Sequence, residues 1–216
     1  MSVLDLAEAI SRIETARAVV DPAQALLVGI SGIDGSGKGF VAAQLERKLA
    51  ARGHGVATLN VDGWLNLPHV RFGGPDADRH FYEYALRLDE MFAELVLPLR
   101  ERRSIELEMD YAEETATKYR RHTYRFAGVD VILLEGIFLF KRAHRRHFDL
   151  RLWVECTFDT ALRRAIARAQ EDLPPAATVR AYETIYFPAQ LVHFASDAPR
   201  ETADIIIGND LTLRPG

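Results

Sequence analysis

The sequence predicts an α/β sandwich built on a parallel sheet of five strands. Five short apolar runs, near residues 25–31, 56–61, 129–134, 150–155 and 203–207, alternate with segments of mostly helical periodicity. Strand–helix alternation winds a parallel sheet with helices on its faces. Val129-Asp130-Val131-Ile132-Leu133-Leu134 is apolar almost throughout, as a strand covered on both faces must be. The stretch Gly32-Ile33-Asp34-Gly35-Ser36-Gly37-Lys38-Gly39 stands between the first run and a segment with Val41, Leu45 and Leu49 on one helix face. Strand, glycine-rich loop and helix in that order form a cradle for a phosphate.

With 216 residues, 48% of them apolar and 27% charged, the chain suits one domain with its own core and an insertion. No internal repeat, low-complexity tract or linker divides residues 1–216. The formal charge of −4 does not favour a general nucleic-acid binder. Cys156 is the only cysteine, which excludes an internal disulfide and a cysteine zinc cluster and accords with a reducing cytoplasm. The N-terminal stretch lacks the unbroken apolar region of a secretory leader, and no apolar run approaches the ~20 residues that span a membrane.

Val3, Leu6, Ile10 and Ile13 recur at helical spacing, so residues 2–18 read as an amphipathic helix ended by Asp21-Pro22. Strand 25–31 feeds the glycine loop, and the next helix runs to about Ala51, where Arg52-Gly53-His54-Gly55 stops it. Strand Val56–Val61 ends at Asp62-Gly63-Trp64. Residues 63–128 interrupt the alternation: Arg71–Asp78 is a Gly/Pro-rich loop, and Phe81–Arg100 reads as a helix buried along Leu88, Phe92 and Leu95. Ile105, Leu107 and Met109 alternate with acids, while His122, Tyr124 and Phe126 alternate with Arg121, Thr123 and Arg125. This predicts an antiparallel pair with acids opposite arginines on one face. Strand 129–134 closes with Glu135-Gly136; a basic segment Lys141–His147 and strand Leu150–Glu155 follow. Thr160–Asp172 reads as a helix with Leu162, Ile166 and Ala169 inward, broken by Pro174-Pro175. Residues 176–194 are helical again with a kink or interruption at Pro188, and Ala203–Ile207 is the last strand.

In such sheets ligands sit beyond the carboxyl ends of the strands. Three of those ends carry Gly32–Lys38, Asp62 and Glu135. Lys38 adds a charge that reaches the outer phosphates of a nucleotide. Asp62 suits a base that takes the proton of an attacking hydroxyl, and Glu135 suits a magnesium ligand. Arg164 and Arg168, four residues apart on one helix face, either project over the phosphates or form a solvated surface. Trp64, Tyr82, Tyr84 and Tyr111 either line an acceptor pocket or fill core.

These residues resemble the uridine kinase-like branch of P-loop kinases, which also includes phosphoribulokinase and bacterial pantothenate kinase. The resemblance spans roughly residues 25–208. It rests on Gly29-Ile30-Ser31-Gly32-Ile33-Asp34-Gly35-Ser36-Gly37-Lys38, on Val61-Asp62-Gly63-Trp64 and on Leu133-Leu134-Glu135-Gly136-Ile137-Phe138. The segment from Phe158-Asp159-Thr160 through Arg164 and Arg168 to Tyr182, Tyr186 and Pro188 adds to it. It implies a three-layer P-loop sandwich, an acceptor lobe at residues 63–128 and a lid with following helices at 160–195. The implied reaction is γ-phosphoryl transfer from ATP or GTP, with Mg2+, to a small-molecule hydroxyl. Gly32, Asp34, Gly35, Ser36, Gly37, Lys38, Gly39 and Phe40 would hold the nucleotide, with Gly208 and Asn209 near its base. Asp62 would be the catalytic base, Glu135 with Asp62 would place the metal, and Arg164 and Arg168 would be lid arginines. Trp64, Glu83, Asp110 and Tyr111 make up the expected acceptor-binding set. Kinases of this branch are often homo-oligomers; no interface is legible in the sequence.

Two departures stand out. Gly39 occupies the position where the loop normally supplies a Ser or Thr hydroxyl to magnesium. The family's Tyr-Asp-Phe element and following pyrimidine-reading histidine are met by Met109-Asp110-Tyr111-Ala112-Glu113-Glu114, which has no histidine. The acceptor therefore stays open between a nucleoside such as uridine or cytidine, pantothenate and a sugar phosphate. Gly39 also admits a nucleotide-binding protein with weak or no transferase activity.

Overall fold

The computed structural model describes residues 3–168 and 173–210. Its sheet is entirely parallel. The elements along the chain are β1 (Val3–Leu4), α1 (Leu6–Val19), β2 (Leu26–Ser31), α2 (Lys38–Ala50) and β3 (Val56–Asn60). Then come α3 (Pro68–Arg71), α4 (Ala77–Tyr84), α5 (Leu88–Met91), α6 (Leu97–Arg102), β4 (Ile105–Tyr111), β5 (Arg120–Phe126) and β6 (Val131–Gly136). The last are β7 (Leu150–Glu155), α7 (Phe158–Arg168), α8 (Pro175–Ala181), α9 (Phe187–Asp197) and β8 (Ile205–Gly208). The five predicted strands stand in the order β8-β7-β2-β6-β3, and β1 adds a short edge beside β8.

Every residue of β2 and β6 is buried, because each strand is covered on both faces. Alternate residues supply separate cores. Leu26, Val28, Ile30, Val131 and Leu133 pack against Ile10 and Ile13 of α1 and Val41, Leu45 and Leu49 of α2. Leu27, Leu59, Ile132 and Leu134 face Met91 of α5, Leu99 of α6, Ala161 of α7 and Ala189 of α9. Gly29 is the exception that packing demands: a Cβ there would lie 2.8 Å from the rings of Phe140 and Phe148.

The antiparallel pair is present, with Ile105 opposite Phe126 and Tyr111 opposite Arg120. Its solvent face carries the expected ion pairs, Glu106–Arg125 and Glu108–Arg121. Three expectations need correction. Residues Val3–Leu4 are strand, not helix, pairing with Ile206 and Ile207; α1 begins after Asp5, whose side chain caps Glu8 N at 2.8 Å. The single helix expected over Phe81–Arg100 is broken at Leu86 and Arg87, which turn aside to bond the chain at Leu65 and Trp64. In α7 the buried stripe is Thr160, Ala161 and Ala165, with Leu162 and Ile166 half-buried; Ala169 and Asp172 lie outside the described residues.

The kink or interruption expected at Pro188 takes the form of a wider turn. A π segment, Tyr182–Tyr186, precedes α9, and Phe187 N bonds Tyr182 O five residues back. The same solution occurs before Pro98, where Phe92–Val96 is π and Leu97 N bonds Phe92 O. A proline ring has no N–H and crowds the carbonyl four residues back, and a widened turn relieves both.

Substituting Gly29→Ala should overpack the space under Phe140 and Phe148. The expected loss is about 1–3 kcal/mol, read as a melting temperature lower by roughly 5 °C. An unchanged melting temperature would show that the two rings give way freely.

Candidate active site

β2 delivers the chain into the glycine loop at the carboxyl edge of the sheet. Gly35 and Gly37 hold φ of 75° and 87°, a region that side chains with a Cβ avoid. Gly37 is also the residue before α2, and no side chain caps that helix. The first amides of α2 thus lack an intrahelical partner, which makes its N-terminus suited to an anion. The buried Ser36 hydroxyl likewise has no hydrogen-bond partner among the described residues.

Three cations are engaged with the loop. Lys38 Nζ donates to Ile33 O at 3.0 Å. Arg164 of α7 donates to Ser36 O at 3.1 Å and to Asn209 O at 2.7 Å, while Asn209 Nδ2 donates to Ser36 O at 2.8 Å. Arg168 lies 3.6 Å from Asp34, whose other carboxylate oxygen accepts the Tyr182 hydroxyl. Arg164 is therefore a brace between the loop, α7 and the end of β8, while Arg168 meets the loop through Asp34.

Asp62 follows β3 in a single 3-10 turn, its N–H bonded to the Asn60 side chain at 2.6 Å. Glu135 lies on β6 opposite both Ile30 of β2 and Asn60 of β3. Burial pushes the Glu135 carboxyl up to about 7, against the attraction of Lys38 and with added repulsion from Asp62. Asp62 opens onto the cleft, yet the surrounding protein thins its solvation. Its carboxyl is raised for that reason, with Lys38 pulling it down and Asp34 pushing it up. Among the described residues no cluster of three metal-ligating side chains exists. Two neighbouring carboxylates that resist joint ionisation are a donor set that fits a magnesium ion shared with phosphate oxygens and water.

These groups line one cleft of about 480 Å³. Asp34, Gly35, Gly37, Lys38, Gly39, Phe40, Asp62, Glu135, Arg164 and Arg168 all line it, while Gly32 and Ser36 of the loop are not on its wall. The expected acceptor-binding set is not on its wall. Trp64 is fully buried and stacks on Tyr124 with ring centroids 5.9 Å apart. Glu83 is exposed elsewhere. Asp110 pairs with Arg121, and Tyr111 packs against Gly63 beneath Arg120. Tyr82 bonds Asp197, and Tyr84 is exposed. The cleft instead uses Asn60, Leu65, Phe81, Glu114, Ile137, Tyr186 and Gln190. Asn60 was signalled only by lying two residues before Asp62; Glu114 ends the stretch Met109–Glu114 that meets the family's acceptor element, and no motif marked Gln190.

No family model matches the chain, and no curated protein matches it. Solved structures do. A possible uridine kinase from Bacillus stearothermophilus superposes with a TM-score of 0.72 at 19% identity, covering 94% of this chain and 100% of that one. The chain has the fold of the uridine kinase-like P-loop kinases. A candidate fructose transport system kinase from Silicibacter sp. TM1040 matches at TM-score 0.77 and 18% identity, over 94% of this chain and 98% of that one. The D-glycerate 3-kinase of Cryptococcus neoformans var. grubii has the same P-loop kinase fold at TM-score 0.61 and 11% identity, over 97% and 94% of the two chains. Among the described residues no helix is long and apolar enough to cross a membrane.

The raised Glu135 carboxyl has a measurable consequence. Its folded pKa of about 7 lies above the ordinary value of 4.5, so the folded state holds the proton more tightly. The stabilisation is complete below pH 4.5 and is lost as pH rises through 7. The metal-free protein should melt on the order of 5 °C lower at pH 8 than at pH 5.5, and Glu135→Gln should flatten that dependence. A Glu135→Gln profile parallel to wild type would assign the effect to another group.

Proposed function

We propose that the protein is a small-molecule kinase transferring the γ-phosphoryl group of ATP or GTP to a hydroxyl, with a nucleoside such as uridine or cytidine as the acceptor favoured by motif resemblance. One observation carries the reading: the uncapped phosphate loop, Lys38 and the paired carboxylates Asp62 and Glu135 share one cleft. The P-loop kinase fold of the structural neighbours supports it.

In this reading the loop amides and Lys38 hold the outer phosphates, and Lys38 exchanges the Ile33 carbonyl for a phosphate oxygen. Asp62, with its basicity raised, accepts the acceptor hydroxyl's proton as the new O–P bond forms. Glu135 and Asp62 would hold the magnesium, which when bound neutralises charge on the transferring phosphoryl oxygens. Arg168, at the open edge of the cleft, counters charge on the transferred group. Residues 63–128 form the acceptor lobe, 160–195 the lid, and the single thiol suits a reducing cytoplasm.

A second reading, a nucleotide-binding protein with little transferase activity, is favoured by Gly39 alone. A phosphotransfer screen with ATP and magnesium against nucleosides, pantothenate and sugar phosphates separates the two, and acceptor-dependent ADP from none of them would favour the second. Lys38→Ala should abolish turnover. Asp62→Asn should leave ATP binding intact and lower kcat by about 10²–10⁴-fold; equal turnover would remove Asp62 as the base. At Gly39 a Cβ would stand 3.5 Å from Glu135 Oε1, an ordinary contact, so a serine fits. Gly39→Ser should lower the magnesium concentration giving half-maximal rate severalfold. An unchanged magnesium dependence would mean that the hydroxyl has no work to do there.

A further inference from the structure

Tyr82 is not on the cleft wall; its side chain joins a buried polar cluster at the end of α9. Its hydroxyl donates to Asp197 Oδ2 at 2.5 Å, and His193 Nδ1 meets the same oxygen at 2.7 Å. Arg142 N, from the segment after β6, donates to Asp197 Oδ1 at 2.9 Å, and the Arg145 guanidinium donates to Asp197 O at 3.1 Å. Asp197 is 4% exposed and His193 is 0% exposed. Burial by itself raises the Asp197 carboxyl, but the bonds from His193, Tyr82 and Arg142 hold it down to about 2. An ionised carboxylate only accepts, so the proton between His193 and Asp197 sits on Nδ1. One buried carboxylate thus gathers three donors, and bonds to an ionised acceptor are the strong ones.

The three donors come from α4, from α9 and from the segment after β6, and each of these contributes to the cleft wall away from the phosphate loop. Phe81 precedes Tyr82, Ile137 precedes Phe138, and Gln190 stands one turn before His193. Phe138 meets Phe81, Tyr82 and His193 edge-on, with ring centroids 6.2, 5.4 and 5.5 Å apart. Lys141 closes the cluster: its Nζ lies 4.2 Å over the Tyr82 ring and donates to Tyr82 O. The phosphate half of the cleft has other supports. Lys38, Asp62 and Glu135 stand at the ends of β2, β3 and β6, and Arg164 and Asn209 brace the loop at Ser36 O. The bonds to Asp197 come from elements of the far wall instead.

Resting on the kinase reading, we propose that Asp197 is a positioning residue for the acceptor. Its carboxylate sets α4, α9 and the segment after β6 at the spacing in which Phe81, Ile137 and Gln190 close on the acceptor. Asp197 is not on the cleft wall and acts through Tyr82 and His193. A small misplacement of a wall remote from the reacting atoms is enough to weaken binding and alignment. The nucleotide, held by the loop and Lys38, does not depend on that wall, so the effect divides between the two substrates.

Steady-state kinetics with ATP and magnesium test this on whichever of uridine, fructose, glycerate and pantothenate is turned over. Asp197→Asn keeps the volume but puts an amide donor where an oxygen accepted. It should raise the acceptor KM about tenfold and leave the KM for ATP within about twofold of wild type. Tyr82→Phe removes one bond and keeps the ring packing, and should raise the acceptor KM about threefold. The two changes act on one bond, so the double variant should fall short of their product. Amide exchange should quicken in Ala77–Tyr84 and stay unchanged in Lys38–Ala50. If Asp197→Asn does not fold, Tyr82→Phe decides alone. Equal rises in both KM values, or an acceptor KM that neither variant moves, would overturn the inference and leave the kinase reading standing. Turnover of none of the four compounds, with ATP still bound, would remove the kinase reading and the inference with it.

Discussion

The cleft depends on one register. β6 lies between β2 and β3 with Glu135 opposite Ile30 on one side and Asn60 on the other. The phosphate loop begins two residues beyond Ile30, and Asp62 lies two residues beyond Asn60. Side chains alternate along a strand, so a slip of one residue would turn Glu135 to the other face of the sheet and separate it from Asp62. What prevents the slip is the burial of both faces. Val131 and Leu133 belong to the core under α1 and α2, Ile132 and Leu134 to the opposite one, and a shift would exchange the two sets. The chemistry of the edge is thus aligned by apolar packing beneath it.

Beyond the strand ends, the loop is held by a second tier of groups. Arg164 and Asn209 both donate to the Ser36 carbonyl, from α7 and from the end of β8. Thr157, just ahead of α7, bonds the Asp210 carboxylate through both its amide, at 3.0 Å, and its hydroxyl, at 2.6 Å. A backbone carbonyl of the loop is thereby turned toward these donors, while within the loop Gly35 N donates to Asp34 Oδ1 at 2.8 Å and Ser36 N to Ile33 O at 3.1 Å. Lys38 and Arg168 lie close to Ile33 and Asp34 of the loop. A nucleotide bound as the proposed kinase requires would replace these contacts, a smaller reorganisation than folding the loop anew.

Much of this was legible in the sequence, for identifiable reasons. A strand buried on both faces leaves an unbroken apolar run, so β6 and the place of Glu135 could be read directly. The glycines of the loop are required by local backbone geometry, and local geometry leaves a local signature. The break at Leu86 and Arg87 could not be read, since it is made by contacts with Leu65 and Trp64, about twenty residues earlier in the chain. The lining of the cleft beyond the loop could not be read for a related reason. Period-two alternation shows that Tyr111 and Tyr124 share the apolar side of the hairpin, but the docking of that hairpin on Trp64 decides whether they meet ligand or core. Gln190 reaches the cleft from a helix whose sequence shows only a proline and an apolar stripe.

Gly39 takes on a definite meaning in this geometry. The space a side chain would occupy there is bounded by Glu135 Oε1 at 3.5 Å. A loop hydroxyl at this point would neighbour that carboxylate, and in its absence the burden of holding magnesium in the proposed kinase shifts to Glu135 and Asp62. Glu135 is also the group whose burial holds its proton to about pH 7. Binding the metal in the proposed kinase would then require displacing that proton, whereas a loop hydroxyl would bind the metal as a neutral ligand and keep its own proton. In the proposed kinase the glycine would thus leave metal affinity coupled to pH across the neutral range, through the carboxylate that the sheet register places there.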